Sequence, residues 1–92
     1  MPGRARVEEV LEFLGIDSGE LLVELRREGL FEEDTVGGQE AEELRVAASL
    51  VRDLGVNPAG VDVILHLRRR LLILQDRTRE SLERLLQELD RR

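Results

Sequence analysis

The fold is decided at Leu54-Gly55-Val56-Asn57-Pro58-Ala59-Gly60-Val61. Gly55 follows a periodic apolar run, and glycine readily adopts the left-handed backbone that ends many helices. Asn57 offers a side-chain oxygen as an N-cap, and Pro58 suits the first helical position because its missing N–H would have no partner there. The junction therefore predicts that one helix ends at Leu54 and that another begins at Pro58.

A long amphipathic helix is predicted to follow this junction, within residues 57–92. Its apolar residues recur at steps of three and four, with one polar interval at 75–81. Because neither Gly nor Pro occurs after Gly60, we favour one unbroken helix to about Asp90, on the order of 50 Å long at about 1.5 Å per residue. The alternative is a break in the polar interval, with a second short helix folded back on the first. The periodic positions are Val61, Ile64, Leu67, Leu71, Leu74, Leu82, Leu85, Leu86 and Leu89.

Such a helix would extend beyond its own domain. A compact domain of 92 residues has a radius of gyration of about 12 Å and therefore a diameter of roughly 30 Å. The overhanging part would expose apolar surface, which pairing with a second copy of the chain would cover. We therefore expect a homodimer, and the predicted dimer seam comprises Ile64, Leu67, Leu71, Leu74, Leu82 and Leu85.

Residues 1–56 are predicted to form a helix-turn-helix lobe, within a single domain overall. Apolar spacing and capping residues predict a first helix over 5–14 and a second over about 18–28. Residues 30–38 lack a helical period, and Leu30-Phe31 and Thr35-Val36 are interpreted as the two arms of a small wing. A third helix is predicted over 39–54, with its core-facing positions at Leu44, Ala47, Ala48, Val51 and Leu54.

The composition excludes most chemistry. Cys is absent and His66 is the single histidine, so the chain has no thiolate and no second His or Cys to complete a zinc-type site with His66. His66 and Asp62 lie one helical turn apart and are interpreted as a surface pair. Because no serine or threonine lies beside a plausible base, we expect no enzyme, no cofactor and no metal. The apolar runs are too short for a membrane span or a signal peptide, so we expect a cytoplasmic location and no membrane partner.

The charge is divided unevenly along the chain. The formal net charge is −6, and all fourteen basic residues are Arg. Residues 8–43, called the acidic lobe below, contain thirteen acidic residues but only Arg26 and Arg27, a local net charge of −11. Residues 44–92 carry a net charge of +3. A surface with the charge of the acidic lobe is suited to a basic partner.

The order of elements resembles the MerR superfamily. The likeness consists of helix, turn, a second helix ending in Glu28-Gly29-Leu30, wing, third helix and long C-terminal helix, over about residues 7–74. The octapeptide at 54–61, followed by Ile64 and Leu67, is similar to a narrower branch that contains the HspR heat-shock repressors and the CbpM chaperone modulators. The resemblance implies a mainly all-α fold: a MerR-like winged helix-turn-helix with a small wing and a long C-terminal dimerisation helix.

Two departures separate this chain from the DNA-binding members of that family. Those members usually place Arg and Tyr shortly before the end of the second helix, where this chain has Val23, Glu24 and Leu25. Their wing usually carries Arg-x-Tyr, where this chain has Asp34-Thr35-Val36. Because affinity for DNA depends chiefly on Lys and Arg that neutralise phosphates, we expect no nucleic-acid binding through the acidic lobe.

The resemblance to CbpM implies a different partner, the J-domain of a DnaJ-like co-chaperone. J-domains present a basic helix to their Hsp70 partner, and an acidic lobe complements such a helix. The leading interpretation is therefore a non-enzymatic adaptor. The alternatives are a MerR- or HspR-type regulator that binds DNA as a dimer, and a dimeric helical protein with another basic partner. The candidate partner-binding residues are Glu20, Glu24, Glu28, Phe31, Glu32, Glu33, Asp34 and Val36.

Overall fold

Most of the chain is helical, as the sequence predicts. The computed structural model describes residues 3–92, without the side chain of Ser18. The protein measures 59 × 31 × 21 Å along its principal axes, because its last helix is much longer than the rest of the fold. In chain order, the elements are β1 (Ala5–Arg6), α1 (Val7–Phe13), α2 (Ser18–Arg27), β2 (Thr35–Val36), α3 (Gly38–Leu54) and α4 (Pro58–Asp90).

The junction between α3 and α4 forms as predicted. Gly55 has a φ of +67°, and its left-handed conformation ends α3. The side-chain Oδ1 of Asn57 accepts a hydrogen bond of 2.8 Å from the backbone N–H of Gly60. A Cβ atom on Gly60 would lie 2.9 Å from Cγ1 of Val56, so the tight turn also requires a small residue at this position.

The long helix α4 is continuous over 33 residues. The alternative with a break at 75–81 is therefore wrong, because that interval contains no Gly or Pro and its polar side chains are all compatible with helix. Only the first turns of α4 pack in the core, where Val61 and Leu65 are fully buried and Ile64 is half-buried. Leu65 was not among the periodic positions, because it lies on the side of the helix that faces α3 rather than on the main apolar face.

The core is assembled from every helix and from β2. One expected member, Leu54, is 71% exposed instead of buried. The backbone N–H of Val56 donates a hydrogen bond of 2.9 Å to the carbonyl oxygen of Leu50. This turn places Val56, instead of Leu54, against the core. The buried hydrophobic residues are Val7, Leu11, Leu22, Leu25, Leu30, Val36, Leu44, Ala47, Ala48, Val61 and Leu65.

In the small sheet, the strand that pairs with β2 is not the predicted one. β1 pairs antiparallel with β2, with Ala5 opposite Val36 and Arg6 opposite Thr35. Leu30 and Phe31 do not form a strand, since Leu30 is buried in the core and Phe31 has a φ of +53°. The prediction that Leu30-Phe31 forms one of the two arms of the wing is therefore wrong, and the segment before α1 supplies the second strand.

An ion pair between a buried carboxylate and a half-exposed guanidinium joins α3 to α4. Glu43 is only 3% exposed, and both of its carboxylate oxygens accept hydrogen bonds from the guanidinium of Arg69. This hydrogen bonding raises the pKa of Arg69, so the guanidinium stays charged. Arg68 lies 3.8 Å from Glu42 across the same interface. These contacts fix the direction in which α4 leaves the domain.

Replacing Arg69 by Ala is expected to destabilise the fold by about 2 kcal/mol, because it leaves the carboxylate of Glu43 without its partner. The loss is smaller than for a fully buried pair, since Arg69 is half-exposed and water can enter the space that it leaves. Urea unfolding at one fixed protein concentration measures the loss, since dimerisation would otherwise shift the apparent stability. The control is Arg84→Ala, at an exposed position outside the ion pairs of residues 3–92, which should cost less than about 0.5 kcal/mol. Equal losses in the two variants would contradict a structural role for the pair.

Candidate protein-interaction surfaces

The acidic lobe presents most of its carboxylates to solvent. Glu43 is the one that is buried, while the others lie on the outer faces of α1 and α2, in the segment that leads to β2, and at the start of α3. Residues 28–34 of that segment are called the acidic loop below. The carboxylates of exposed residues are those of Glu9, Glu12, Asp17, Glu20, Glu28, Glu32, Glu33 and Asp34.

Much of the basic charge around the lobe is engaged within the fold. Nε of Arg26 donates a 2.9 Å hydrogen bond to the carbonyl oxygen of Phe31, and its Nη2 donates one of 3.4 Å to the carbonyl oxygen of Glu33. Arg4 donates hydrogen bonds to the hydroxyl and the carbonyl oxygen of Thr35, at 3.2 and 2.9 Å. Both arginines therefore hold the acidic loop and β2 in place, and Arg27 is left as the exposed basic residue of α2.

The predicted partner-binding residues do not form one patch. Glu20 and Glu24 lie along α2, whereas Glu28 and Phe31 line a separate polar cavity of about 380 Å³ next to the Glu43–Arg69 pair. The remaining carboxylates, Glu32, Glu33 and Asp34, are exposed in the acidic loop. The side chain of Val36 is 2% exposed and packs in the core, because β2 points it inward, so a partner cannot reach it in this structure.

A second concave surface, called the α2 groove below, lies between the α1–α2 turn, α2 and the end of α3. Its volume is about 470 Å³. The floor consists of three half-buried apolar side chains, Ile16, Leu21 and Val51. The rim carries three carboxylates and one guanidinium, from Asp17, Glu20, Glu24 and Arg52. The sequence pattern indicated Glu20 and Glu24 as partner-binding residues but Val51 as a core residue, since nothing in the local pattern shows that two distant segments meet at a groove.

The outer part of α4 carries a continuous exposed apolar face. Each leucine of this face is between 53% and 58% exposed. Successive positions are separated by 4, 3, 4, 4, 3 and 4 residues, a series that reads the same in both directions about Thr78. We call this set the α4 stripe: Leu67, Leu71, Leu74, Thr78, Leu82, Leu85 and Leu89. The predicted seam residue Ile64 lies outside the stripe and is half-buried in the domain.

The charges that flank the α4 stripe differ between its two halves. At about 100° of rotation per residue, Arg68 and Arg70 flank the first half of the stripe, on opposite sides. Arg79 and Glu88 flank the second half in the same way. Beside the stripe, the first half of the exposed helix is therefore basic, and the second half carries one charge of each sign.

The single histidine is a surface residue, as interpreted from the sequence. Nδ1 of His66 lies 3.3 Å from Oδ1 of Asp62 and 2.9 Å from the carbonyl oxygen of the same residue. Among residues 3–92, no group of three or more His, Asp and Glu side chains is placed to hold a metal ion. In the same part of the chain, no helix is both long enough and apolar enough to cross a membrane.

The chain matches no protein-family model, no curated protein and no solved structure. Two surfaces stand out on physical grounds. One is the acidic lobe with its groove, and the other is the α4 stripe.

Proposed function

We propose that this protein is a non-enzymatic chaperone modulator of the CbpM type, with a MerR-like winged helix-turn-helix lobe. Its partner is the J-domain of a DnaJ-like co-chaperone, whose basic helix docks on the acidic lobe. The observation that carries the proposal is the array of exposed carboxylates on α1, α2 and the acidic loop, while Arg26 is engaged within the lobe. The order of α1, α2, the acidic loop with β2, and α3 supports the winged assignment.

Electrostatic complementarity explains why a basic helix is the expected partner. Charges distributed over facing surfaces steer the encounter and raise association rates by about 10- to 1,000-fold at low salt. They also disfavour acidic competitors, since like charges repel at the same surface. Occupation of the J-domain's basic helix excludes the Hsp70 partner from it.

Titration of the J-domain from the same organism, at several salt concentrations, tests this proposal. The association rate should fall as salt rises, because exposed charges are screened over about 8 Å at physiological ionic strength. The dissociation rate should change much less, since it depends on the contacts formed after docking. Binding that is indifferent to salt would contradict an electrostatic docking surface.

The proposal includes a homodimer formed through the α4 stripe. An exposed face with six half-exposed leucines, about 33 Å long at 1.5 Å per residue, greatly exceeds the scattered apolar residues on a monomer's surface. Antiparallel pairing about Thr78 aligns the stripe with its own copy, so that Leu67 meets Leu89 of the partner subunit and Leu74 meets the partner's Leu82. The same arrangement places the partner's Glu88 on the side of the seam that carries Arg70.

The spacing of the stripe also predicts the shape of the helix pair. Two consecutive repeats of 11 residues connect Leu67, Thr78 and Leu89. Such a repeat corresponds to about 3.67 residues per turn, slightly more than the 3.6 of a straight helix. The two helices should therefore run nearly straight or with a slight right-handed twist, unlike a heptad coiled coil.

We expect no sequence-specific binding to duplex DNA at physiological salt. Of the three consecutive arginines on α4, Arg69 is bound to Glu43 and Arg68 lies 3.8 Å from Glu42, so only Arg70 is wholly available for phosphate. A gel-shift titration checks this, and any complex at low salt should disappear steeply as salt rises. A footprint on a promoter that persists near 0.15 M salt would instead favour the HspR-type regulator.

A further inference from the structure

The α2 groove combines an apolar floor with a rim of three carboxylates, on the side of α2, and one guanidinium, that of Arg52 at the end of α3. Ile16, Leu21 and Val51 come from three different segments, and all three also pack against the core, so the floor is held in place. The rim carboxylates of Asp17, Glu20 and Glu24 follow one flank of α2. A groove of about 470 Å³ lies within the range of natural binding clefts.

The rim carboxylates are free to pair with a ligand. Within residues 3–92, none of the three belongs to an ion pair, although Asp17 also caps α2 by accepting from the N–H of Gly19. Glu20 and Glu24 are four residues apart, so their positions on the helix lie about 5–6 Å from each other. Basic residues at the same spacing on a second helix can face them in register.

We propose that the α2 groove seats one turn or two of a cationic amphipathic helix, which lies alongside α2. Its apolar residues contact Ile16, Leu21 and Val51, and its Lys or Arg residues pair with Glu20 and Glu24. An amphipathic helix in an apolar groove is a common mode of peptide recognition. A small apolar ligand would leave the carboxylates unpaired, whereas a helix with a basic edge satisfies both the floor and the rim. The inference rests on the proposed function in taking the basic helix of a J-domain as the natural occupant.

Two matched pairs of variants test the groove. Glu20→Arg with Glu24→Arg changes the rim, and Glu32→Arg with Asp34→Arg makes the same change of charge in the acidic loop. Leu21→Gln changes the floor, and Val23→Gln is its control, because Val23 is 52% exposed on the other side of α2. Circular dichroism checks that each variant is folded. If Leu21→Gln does not fold, the rim pair still tests the groove.

Two titrants test the groove proposal and the proposed function separately. One is the J-domain from the same organism, and the other is a synthetic amphipathic helical peptide of Leu and Lys. The rim pair should weaken binding of both titrants by about 30-fold, and the loop pair by about threefold, because rim contacts act after docking while distant charges act mainly on the encounter. Leu21→Gln should weaken binding about tenfold through faster dissociation, and Val23→Gln should leave it unchanged.

Each combination of results has a distinct meaning. If the J-domain binds but the rim and loop pairs weaken it equally, the groove is not the docking site and the proposed function stands. If the peptide alone binds, and does so through the groove, the groove is a helix site and the J-domain proposal fails. Failure of the wild-type protein to bind either titrant overturns both.

Discussion

Replacing Leu74 by Glu is expected to dissociate the dimer into monomers. In the antiparallel arrangement each interface then contains two carboxylates, each facing Leu82 of the other subunit. An unpaired charge in an apolar contact costs several kcal/mol, and two of them should raise the dissociation constant by at least about 1,000-fold. The side chain of Leu74 is 57% exposed in the single chain, so the fold of the monomer should be unaffected. Sedimentation equilibrium measures the change in mass.

The neighbouring residue provides the control for this experiment. Ile73 is 51% exposed, and it lies on nearly the opposite side of α4 from the stripe. Ile73→Glu therefore introduces the same charge at similar exposure without entering the proposed seam, and it should leave the dimer intact. If the wild-type protein sediments as a 10.5 kDa monomer at high micromolar concentration, the dimer proposal is contradicted. Equal dissociation by both variants would place the seam elsewhere.

The orientation of the two helices can be read from disulfide formation. The chain has no cysteine, so each introduced thiol is the only one present. Thr78→Cys should cross-link readily under oxidation, because the proposed axis brings this position against its own copy. Leu67→Cys should not cross-link with itself, since antiparallel pairing separates the two copies by about 33 Å. Efficient cross-linking of both variants would indicate parallel helices.

Reversing three carboxylates of the acidic lobe is expected to weaken binding of the J-domain by about 100-fold. The variant carries Glu20→Arg, Glu28→Arg and Glu32→Arg, which are all at exposed positions and should not disturb the core. Loss of attraction lowers the association rate, and repulsion between like charges adds to the effect. Surface plasmon resonance at about 0.15 M salt separates the change in association from the change in dissociation.

The matched control reverses three carboxylates on the outer part of α4. Asp76, Glu80 and Asp90 are exposed and face away from the α4 stripe, so their replacement by Arg changes the net charge equally and leaves the dimer seam alone. The control should reduce binding by less than about threefold, since none of the three carboxylates belongs to α1, α2 or the acidic loop, where the J-domain is proposed to dock. Similar losses in the two variants would show that only total charge matters.

The sequence predicts those parts of the fold that depend on local chemistry. Gly55, Asn57 and Pro58 place the α3–α4 junction correctly, because capping depends on a few neighbouring residues. The absence of Gly and Pro predicts a continuous α4. The strand that pairs with β2 could not be predicted in this way. This strand, β1, is only two residues long and lies some thirty residues along the chain from its partner.

The candidate surfaces were also predicted only in part, because a sequence pattern reports local chemistry and not which elements pack together. Charge counting identifies the acidic lobe, and periodicity identifies the exposed leucines of α4. Periodicity does not distinguish a residue that faces the domain from one that faces solvent, so Leu65 was missed and Ile64 was assigned to the seam. The burial of Glu43 and of Val36 likewise depends on which elements pack together.

Calorimetric titration of the wild-type protein with the J-domain of a DnaJ-like co-chaperone from the same organism tests the proposed partner most directly. We expect saturable binding at about 0.15 M salt, with an affinity that decreases as salt is raised and that falls sharply when the lobe carboxylates are reversed. Absence of binding at high micromolar concentrations of both proteins, or full binding by the lobe-reversed variant, would contradict it.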